Sequence, residues 1–186
     1  MAEAGTIIAH ILLFASLYFE VFLLVTFLER LDEIRQKTEE VEEVTAYPTV
    51  TVIVPSFNEE KTLSKTVESL LSLDYPKNKL SISIVDDGST DSTWNVMQRF
   101  SNNPIITLIK KDNGGKYTAL NLAIERTNSD LVGCLDADSV VERNALKKIV
   151  KLFENKKIYA VTPAIQVQDP KNIIELIQAA EYTFSA

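Results

Sequence analysis

Two acidic clusters follow apolar, β-branched runs in this sequence, and their residue types and spacing are suited to chemistry. Asp86-Asp87 ends the run Ile82-Ser83-Ile84-Val85, and Asp136-Ala137-Asp138 follows Leu131-Val132-Gly133-Cys134-Leu135. Such runs read as strands, and in an open α/β sheet the carboxyl ends of strands face the ligand crevice. Carboxylates two apart in an extended segment project to one side, where like charges need a cation or a proton. Oxygen donors suit Mg2+ or Mn2+, which keep waters and take diphosphate oxygens as further ligands. A cation held there would offset charge on a departing nucleoside diphosphate. The pattern points to transfer of a group from a nucleotide-activated donor.

The remaining motifs each carry two readings. Asp86-Asp87-Gly88-Ser89-Thr90-Asp91 is an Asx-type turn and helix cap with Gly88 at positive φ, or a pair of carboxylates accepting a base N–H or a ribose hydroxyl. Capping accounts for Ser89, Thr90 and Asp91 but does not require both carboxylates before the glycine. Pro55-Ser56-Phe57-Asn58-Glu59-Glu60 closes the first strand. Its proline is expected to stop the ladder, Asn58 suits a helix N-cap, and free amides there can meet a base or phosphate edge. Asn113-Gly114-Gly115-Lys116 lacks the Walker spacing. It is either a loop with an exposed lysine or a glycine turn offering N–H groups to an anion, with Lys116 adding positive charge.

Other chemistries are excluded. The single histidine, His10, lies in an apolar run, so no Ser/His/Asp set forms, and neither a zinc-spaced Cys/His cluster nor a GxGxxG motif occurs. The single cysteine, Cys134, cannot form an intrachain disulfide and reads as a small core residue.

The elements that must position these residues are legible in the pattern. A chain of 186 residues with 46% hydrophobic content fits one domain plus an appendage, and a net charge of −7 argues against binding nucleic acid. The appendage is the apolar run 6–28, long enough for a transmembrane helix and lacking a basic n-region or a cleavage site. Arg30, Arg35 and Lys37 follow it, which predicts an external amino terminus and a cytoplasmic remainder: a single-pass protein of the cell membrane. The expected division is therefore an anchor at 1–28, a charged juxtamembrane linker helix at 29–48 ended by Tyr47-Pro48, and a soluble domain at 49–186. In that domain, strands are expected at 49–54, 80–85, 105–110, 130–135 and 158–166. Helices are expected at 59–73, 92–100, 117–127, 144–154 and 172–184. The alternation predicts an α/β fold with a doubly wound, mostly parallel sheet.

The segments TVIVPSFNEE, IVDDGSTD, DNGGKYTALNLA and LDADSVVERNAL, in this order and spacing, resemble the family 2 glycosyltransferases. The likeness is greatest to the membrane-bound synthases of hyaluronan, chitin, cellulose and poly-N-acetylglucosamine. The resemblance implies a Rossmann-like GT-A fold, a role in polysaccharide biosynthesis, and inverting transfer of a sugar from a nucleotide-sugar donor, usually a UDP-sugar. The acceptor would be a glycan or a lipid, and the cofactor Mg2+ or Mn2+. By position, it implies that Pro55, Ser56, Asn58 and Glu59 contact the nucleotide, and that Asp86 and Asp87 contact base and ribose. Lys116 would lie near the diphosphate, and Asp136 and Asp138 would hold the metal and the donor sugar. Glu181-Tyr182 would lie near the acceptor.

Relatives carry a later acidic motif with the general base, then a Q-x-x-R-W segment and further membrane helices. The expectation is that this chain is the donor-binding half of a longer or split enzyme, completed by a missing region or a partner subunit, with the base beyond Ala186. The alternative is a noncatalytic module that binds a nucleotide sugar or assists assembly. A nucleotidyltransferase is disfavoured because the loop after the first strand is acidic rather than glycine-rich and basic.

Overall fold

The computed structural model describes residues 2–39, 44–163, 172 and 174, with side chains at 5–26 within the first helix. The chain divides into two units, Met1–Glu42 and Glu43–Ala186.

The first unit is a helix, α1, Ala2–Glu39. Its segment Gly5–Thr26 is 22 residues long with a mean hydropathy of 2.2. At 1.5 Å per residue that is roughly 33 Å, enough by length and composition to cross a membrane. Polar groups in this span turn inward on the helix itself. Thr26 Oγ1 donates to Phe22 O at 2.9 Å, His10 Nδ1 lies 2.7 Å from Thr6 O, and Ser16 Oγ reaches Glu20 Oε1 at 3.5 Å. The helix runs on through the charged residues after the apolar run, and residues 44–49 are nonhelical. The helix is described as far as Glu39.

The second unit alternates strand and helix: β1 (Val50–Ser56), α2 (Leu63–Leu71), β2 (Leu80–Asp87), α3 (Thr93–Gln98), β3 (Ile106–Lys111), α4 (Lys116–Glu125), β4 (Leu131–Cys134) and α5 (Ala145–Leu152). The four strands are parallel in the order β3-β2-β1-β4. β1 and β2 are central with both faces covered, so Val52, Ile53, Val54, Ile82, Ile84 and Val85 are all buried, with Thr51 and Ser83 buried among them. Val52, Val54, Ile82 and Ile84 face one side, against Leu63, Val67 and Leu70 of α2 and Val96 and Met97 of α3, with α5 joining the same core. Ile53, Val85 and Ile109 face the other side, where Ala119 and Ala123 let α4 approach closely. Helices on both faces make the sheet doubly wound, as the sequence predicts.

This order places β1 between β2 and β4. The chain leaves β1 toward β2 and β3, then returns to β1's other side as β4. The crevice outside the carboxyl ends of β1 and β4 is the topological switch point, the usual ligand position in such sheets.

Several elements differ from expectation. β1 continues through Pro55 to Ser56, paired in register with Val85 and Asp86; a proline lacks only its own donor, and its neighbours keep the ladder. α2 starts at Leu63, because the residues before it form a turn in which Thr62 and Leu63 donate to Glu59 O. Residues 158–163 form no strand, and the Ile158 amide turns back to Asn155 O at 2.9 Å. The rest of the expected fifth strand, and the expected last helix apart from residues 172 and 174, lie outside the described residues. Cys134 is exposed, on β4, the last strand of the sheet among the described residues, whose burial alternates.

Candidate functional site

A cleft of about 470 Å³ opens at the switch point. Pro55, Ser56, Phe57 and Glu59 line it from the β1 loop, and Asp87 from the end of β2. Asn113, Gly115 and Lys116 come from the turn into α4, and Asp136, Ala137 and Asp138 from the segment after β4. β1, β2 and β4 run parallel in register from Val50, Leu80 and Leu131, so residues far apart in sequence become neighbours at their carboxyl ends. Of the residues singled out from sequence, Pro55, Ser56, Glu59, Asp87, Lys116, Asp136 and Asp138 meet in this cleft. Asn58 and Asp86 are not among its lining. Glu181 and Tyr182 lie outside the described residues.

The DxD segment is a turn rather than an extended strand end. The Ser139 amide donates to Asp136 O at 3.0 Å. Ala137 is buried, and its carbonyl accepts the Thr66 hydroxyl of α2 at 2.8 Å. Pinning the alanine inward leaves both aspartates exposed on the cleft side, so the alternation expected of a strand survives in a turn. Among the described residues no group of three or more His, Cys, Asp or Glu forms a metal cage. A pair of hard carboxylate oxygens in an open polar cleft still fits Mg2+ or Mn2+, which fill their remaining positions with water and phosphate oxygens.

Lys116, the first residue of α4, forms an ion pair with Asp136. That bond, with Asp138 adding attraction, holds the ammonium above its ordinary pKa against some burial. Both partners are about half exposed, and an exposed pair contributes only about 0–1 kcal/mol.

Asp86 and Asp87 have different surroundings. Asp86 is fully buried; its Oδ1 accepts the Ser89 amide at 2.9 Å, and its Oδ2 has no partner. Asp87 is 3% exposed, with both oxygens engaged. Oδ1 accepts the Lys111 ammonium and the Gly114 amide at 3.0 Å, and Oδ2 accepts the Gly115 amide at 2.8 Å. Burial pushes its carboxyl up, but Lys111 and the two amides together hold it below its ordinary value.

Asn58 is not a helix cap. It sits at φ 58°, a conformation asparagine tolerates better than most residues. Its Oδ1 accepts the Thr90 amide at 2.9 Å, and its own amide donates to Ser89 Oγ at 3.0 Å. Glu59 N donates to Thr93 Oγ1 at 2.8 Å. These bonds stitch the β1 loop to the β2 loop, so the amides expected to meet a ligand are partly spent between loops.

Sequence reasoning missed Phe57, Asn113, Lys111 and Thr66. Phe57 and Asn113 stand inside quoted motifs, and their positions were the available signal. Lys111 becomes visible only once β3 is known to lie beside β2, with Lys111 in register with Asp87.

Comparison with known proteins places this geometry. Poly-beta-1,6-N-acetyl-D-glucosamine synthase of Staphylococcus aureus (strain COL) is 33% identical over 135 residues, 72% of this chain and 32% of that protein. The Staphylococcus epidermidis synthase matches to the same extent. The chain thus spans about a third of the length of these curated relatives. Among solved structures, the mannosyltransferase PcManGT from Pyrobaculum calidifontis, in complex with GDP-Man and Mn2+, is similar at 26% identity and TM-score 0.57, over 85% of this chain and 48% of that one. S. aureus TarS 1-349 in complex with UDP shares the fold at 21% identity and TM-score 0.55, over 65% of this chain and 39% of that one. The model of glycosyl transferase family 2 matches residues 51–182, a stretch that begins in β1 and contains every cleft residue, and the chain belongs to that family.

Proposed function

We propose that this chain is the donor-binding part of a membrane-anchored, inverting glycosyltransferase that takes a sugar from a nucleotide sugar, a UDP-sugar in particular, to a glycan or lipid acceptor. The observation that carries the reading is the convergence of Asp136, Asp138 and Lys116 in one cleft at the switch point. Relatives named as poly-GlcNAc synthases and a similar structure holding GDP-Man and Mn2+ support it. Residues 1–28 would be the anchor, 29–48 the linker and 49–186 the catalytic domain on the cytoplasmic face. The apolar span Gly5–Thr26 supports the anchor.

In this reading Asp136 and Asp138 would hold Mg2+ or Mn2+ beside the donor's diphosphate. When bound, the ion supplies countercharge to the leaving diphosphate. Lys116 leaves Asp136 for a phosphate oxygen and adds a second positive charge. Ser56, Glu59 and the strand end at Pro55 border the nucleoside. Asp86 Oδ2, buried and unsatisfied outside the present cleft lining, is the acceptor that a base N–H would complete once the β2 loop shifts to uncover it, and Asn58 keeps the two nucleoside-side loops together. An acceptor hydroxyl activated by a general base outside this cleft would then attack the anomeric carbon; that base belongs to the remainder of the enzyme or a partner subunit.

The test is titration of the detergent-solubilised chain with UDP and Mn2+. Wild type binds in a metal-dependent manner, and Asp138→Ala weakens binding at least about tenfold, the loss of one charged ligand. Absence of metal-dependent binding by wild type at millimolar UDP would sink the reading.

A further inference from the structure

We propose that Thr66 and Ser69 of α2 are positioning residues: without touching the donor, their hydroxyls strap the segment 137–143 to the helix and so fix how Asp136 and Asp138 present their carboxylates to a divalent cation. This rests on the reading that the two aspartates hold Mg2+ or Mn2+ beside a diphosphate. The segment that carries them cannot fix its own shape. Residues 139–142 belong to no helix or strand, so their backbone groups need partners from elsewhere. Ahead of the aspartates, the Leu135 amide donates to Ile53 O of β1 at 3.0 Å. From there on the partners come from α2 and the residues just after it. Thr66 Oγ1 donates to Ala137 O at 2.8 Å, the Val141 amide donates to Ser69 Oγ at 3.2 Å, and the Asp74 amide donates to Arg143 O at 2.9 Å. Asp136 thus lies between the bonds at 135 and 137, and Asp138 between those at 137 and 141. The Asp138 carboxylate accepts the adjacent Ser139 hydroxyl at 3.3 Å, a contact within the turn itself, so its direction follows the backbone.

The two hydroxyls are placed for this task. They stand three apart on one helix face, 1% and 9% exposed, where a hydroxyl without a partner is costly. A helical threonine commonly returns its hydroxyl to the carbonyl one turn back. Here Thr62 O already accepts the Lys65 and Thr66 amides at 3.0 and 3.3 Å, and the Thr66 hydroxyl crosses to Ala137 instead. Ser69 accepts from Val141 and donates to Thr66 O at 2.7 Å, which links the two anchors. Neither residue lines the cleft. α2 also grows out of the loop on the nucleoside side, where Glu59 O accepts the Thr62 and Leu63 amides at 3.3 and 3.1 Å. One helix therefore sets the spacing between that loop and the carboxylate pair.

The test measures UDP affinity of the detergent-solubilised full chain across Mn2+ concentrations. Thr66→Val, which keeps the shape and loses the hydroxyl, is expected to raise the Mn2+ needed for half-maximal UDP binding by about tenfold, the usual cost of losing a group that orients metal ligands. Thr66→Ser, which keeps the hydroxyl, stays within about twofold of wild type. Uridine, which lacks phosphates, competes equally well for wild type and Thr66→Val. Hydrogen exchange in peptides spanning 137–143 speeds up by about tenfold in Thr66→Val, with the β2 peptide unchanged. Leu70→Ala, which removes core packing from the same helix and none of these bonds, keeps the wild-type Mn2+ requirement once folded. An unchanged Mn2+ requirement or unchanged exchange in Thr66→Val, a serine variant that does not rescue, weakened uridine competition, or an equal shift in Leu70→Ala would each overturn the proposal. If Thr66→Val does not fold, Ser69→Ala is read in its place against the same outcomes. A wild type that binds no UDP at any Mn2+ concentration sinks the donor-site reading and the proposal with it, whereas wild-type binding that loss of the hydroxyl leaves unaltered sinks the proposal alone.

Discussion

The two adjacent aspartates at the end of β2 have the same side chain and opposite situations. Asp86 keeps one oxygen without a partner in full burial, a state that is costly until something donates to it. Asp87 keeps none free, and its environment lowers its pKa from the ordinary 3.8 despite burial. The sign of the linkage follows. The charged carboxylate's hold on the turn at 113–116 contributes fully above pH 3.8 and is lost as pH falls through the lowered folded value. Wild type should therefore lose melting temperature more steeply than Asp87→Asn as pH falls below 3.8. At neutral pH the same substitution is expected to cost about 1.5–3 kcal/mol, typical of hydrogen bonds to a buried charge. A constant gap between the two proteins across that range would show that the carboxylate's charge is not what holds the turn.

At the scale of elements, the cleft depends on how closely two loops approach and on how firmly α2 is seated. Gly88→Ala forces a side chain into a left-handed φ and against the Asn113 backbone. A cost of about 1–3 kcal/mol is expected, and because the 113–116 turn must move, UDP affinity should fall with stability. Leu70→Ala is a useful contrast. Leu70 is buried in the α2–sheet core and is not part of the cleft lining. Its truncation should cost about 2–5 kcal/mol by denaturant unfolding, while UDP affinity of the folded protein stays within a factor of about two. Equal loss of affinity in both variants would mean that the cleft reports global stability and not the docking of the two loops.

For the whole molecule, the expectation concerns the apolar helix. Gly5–Thr26 carries no charged residue except Glu20, which accepts Ser16 Oγ one turn back. A span of this hydropathy should keep the full chain with vesicles through alkaline carbonate extraction, whereas a peripheral association would be released. Recovery of the chain in the supernatant would remove the anchor from the proposed function and leave the cleft untouched.

Much of this protein was legible before its fold. The β-branched runs identify the central strands, because a strand covered on both faces is rich in Val and Ile even where Thr51 and Ser83 interrupt it. The periodic Val67, Leu70 and Leu71 mark α2 as a core helix, and the acids after β2 and β4 stand out because a fold gains nothing from unpaired carboxylates at strand ends. The motifs also point to the family that the comparison with known proteins assigns. Local pattern could not supply the neighbours. It did not disclose that β4 is the last strand of the sheet among the described residues, with Cys134 exposed on it, or that Lys111 stands beside Asp87. Nor could it tell which of two consecutive aspartates is satisfied by the protein. Those outcomes depend on strand order and on the approach of loops distant in sequence, and such long-range pairings leave no trace in the spacing of any single segment.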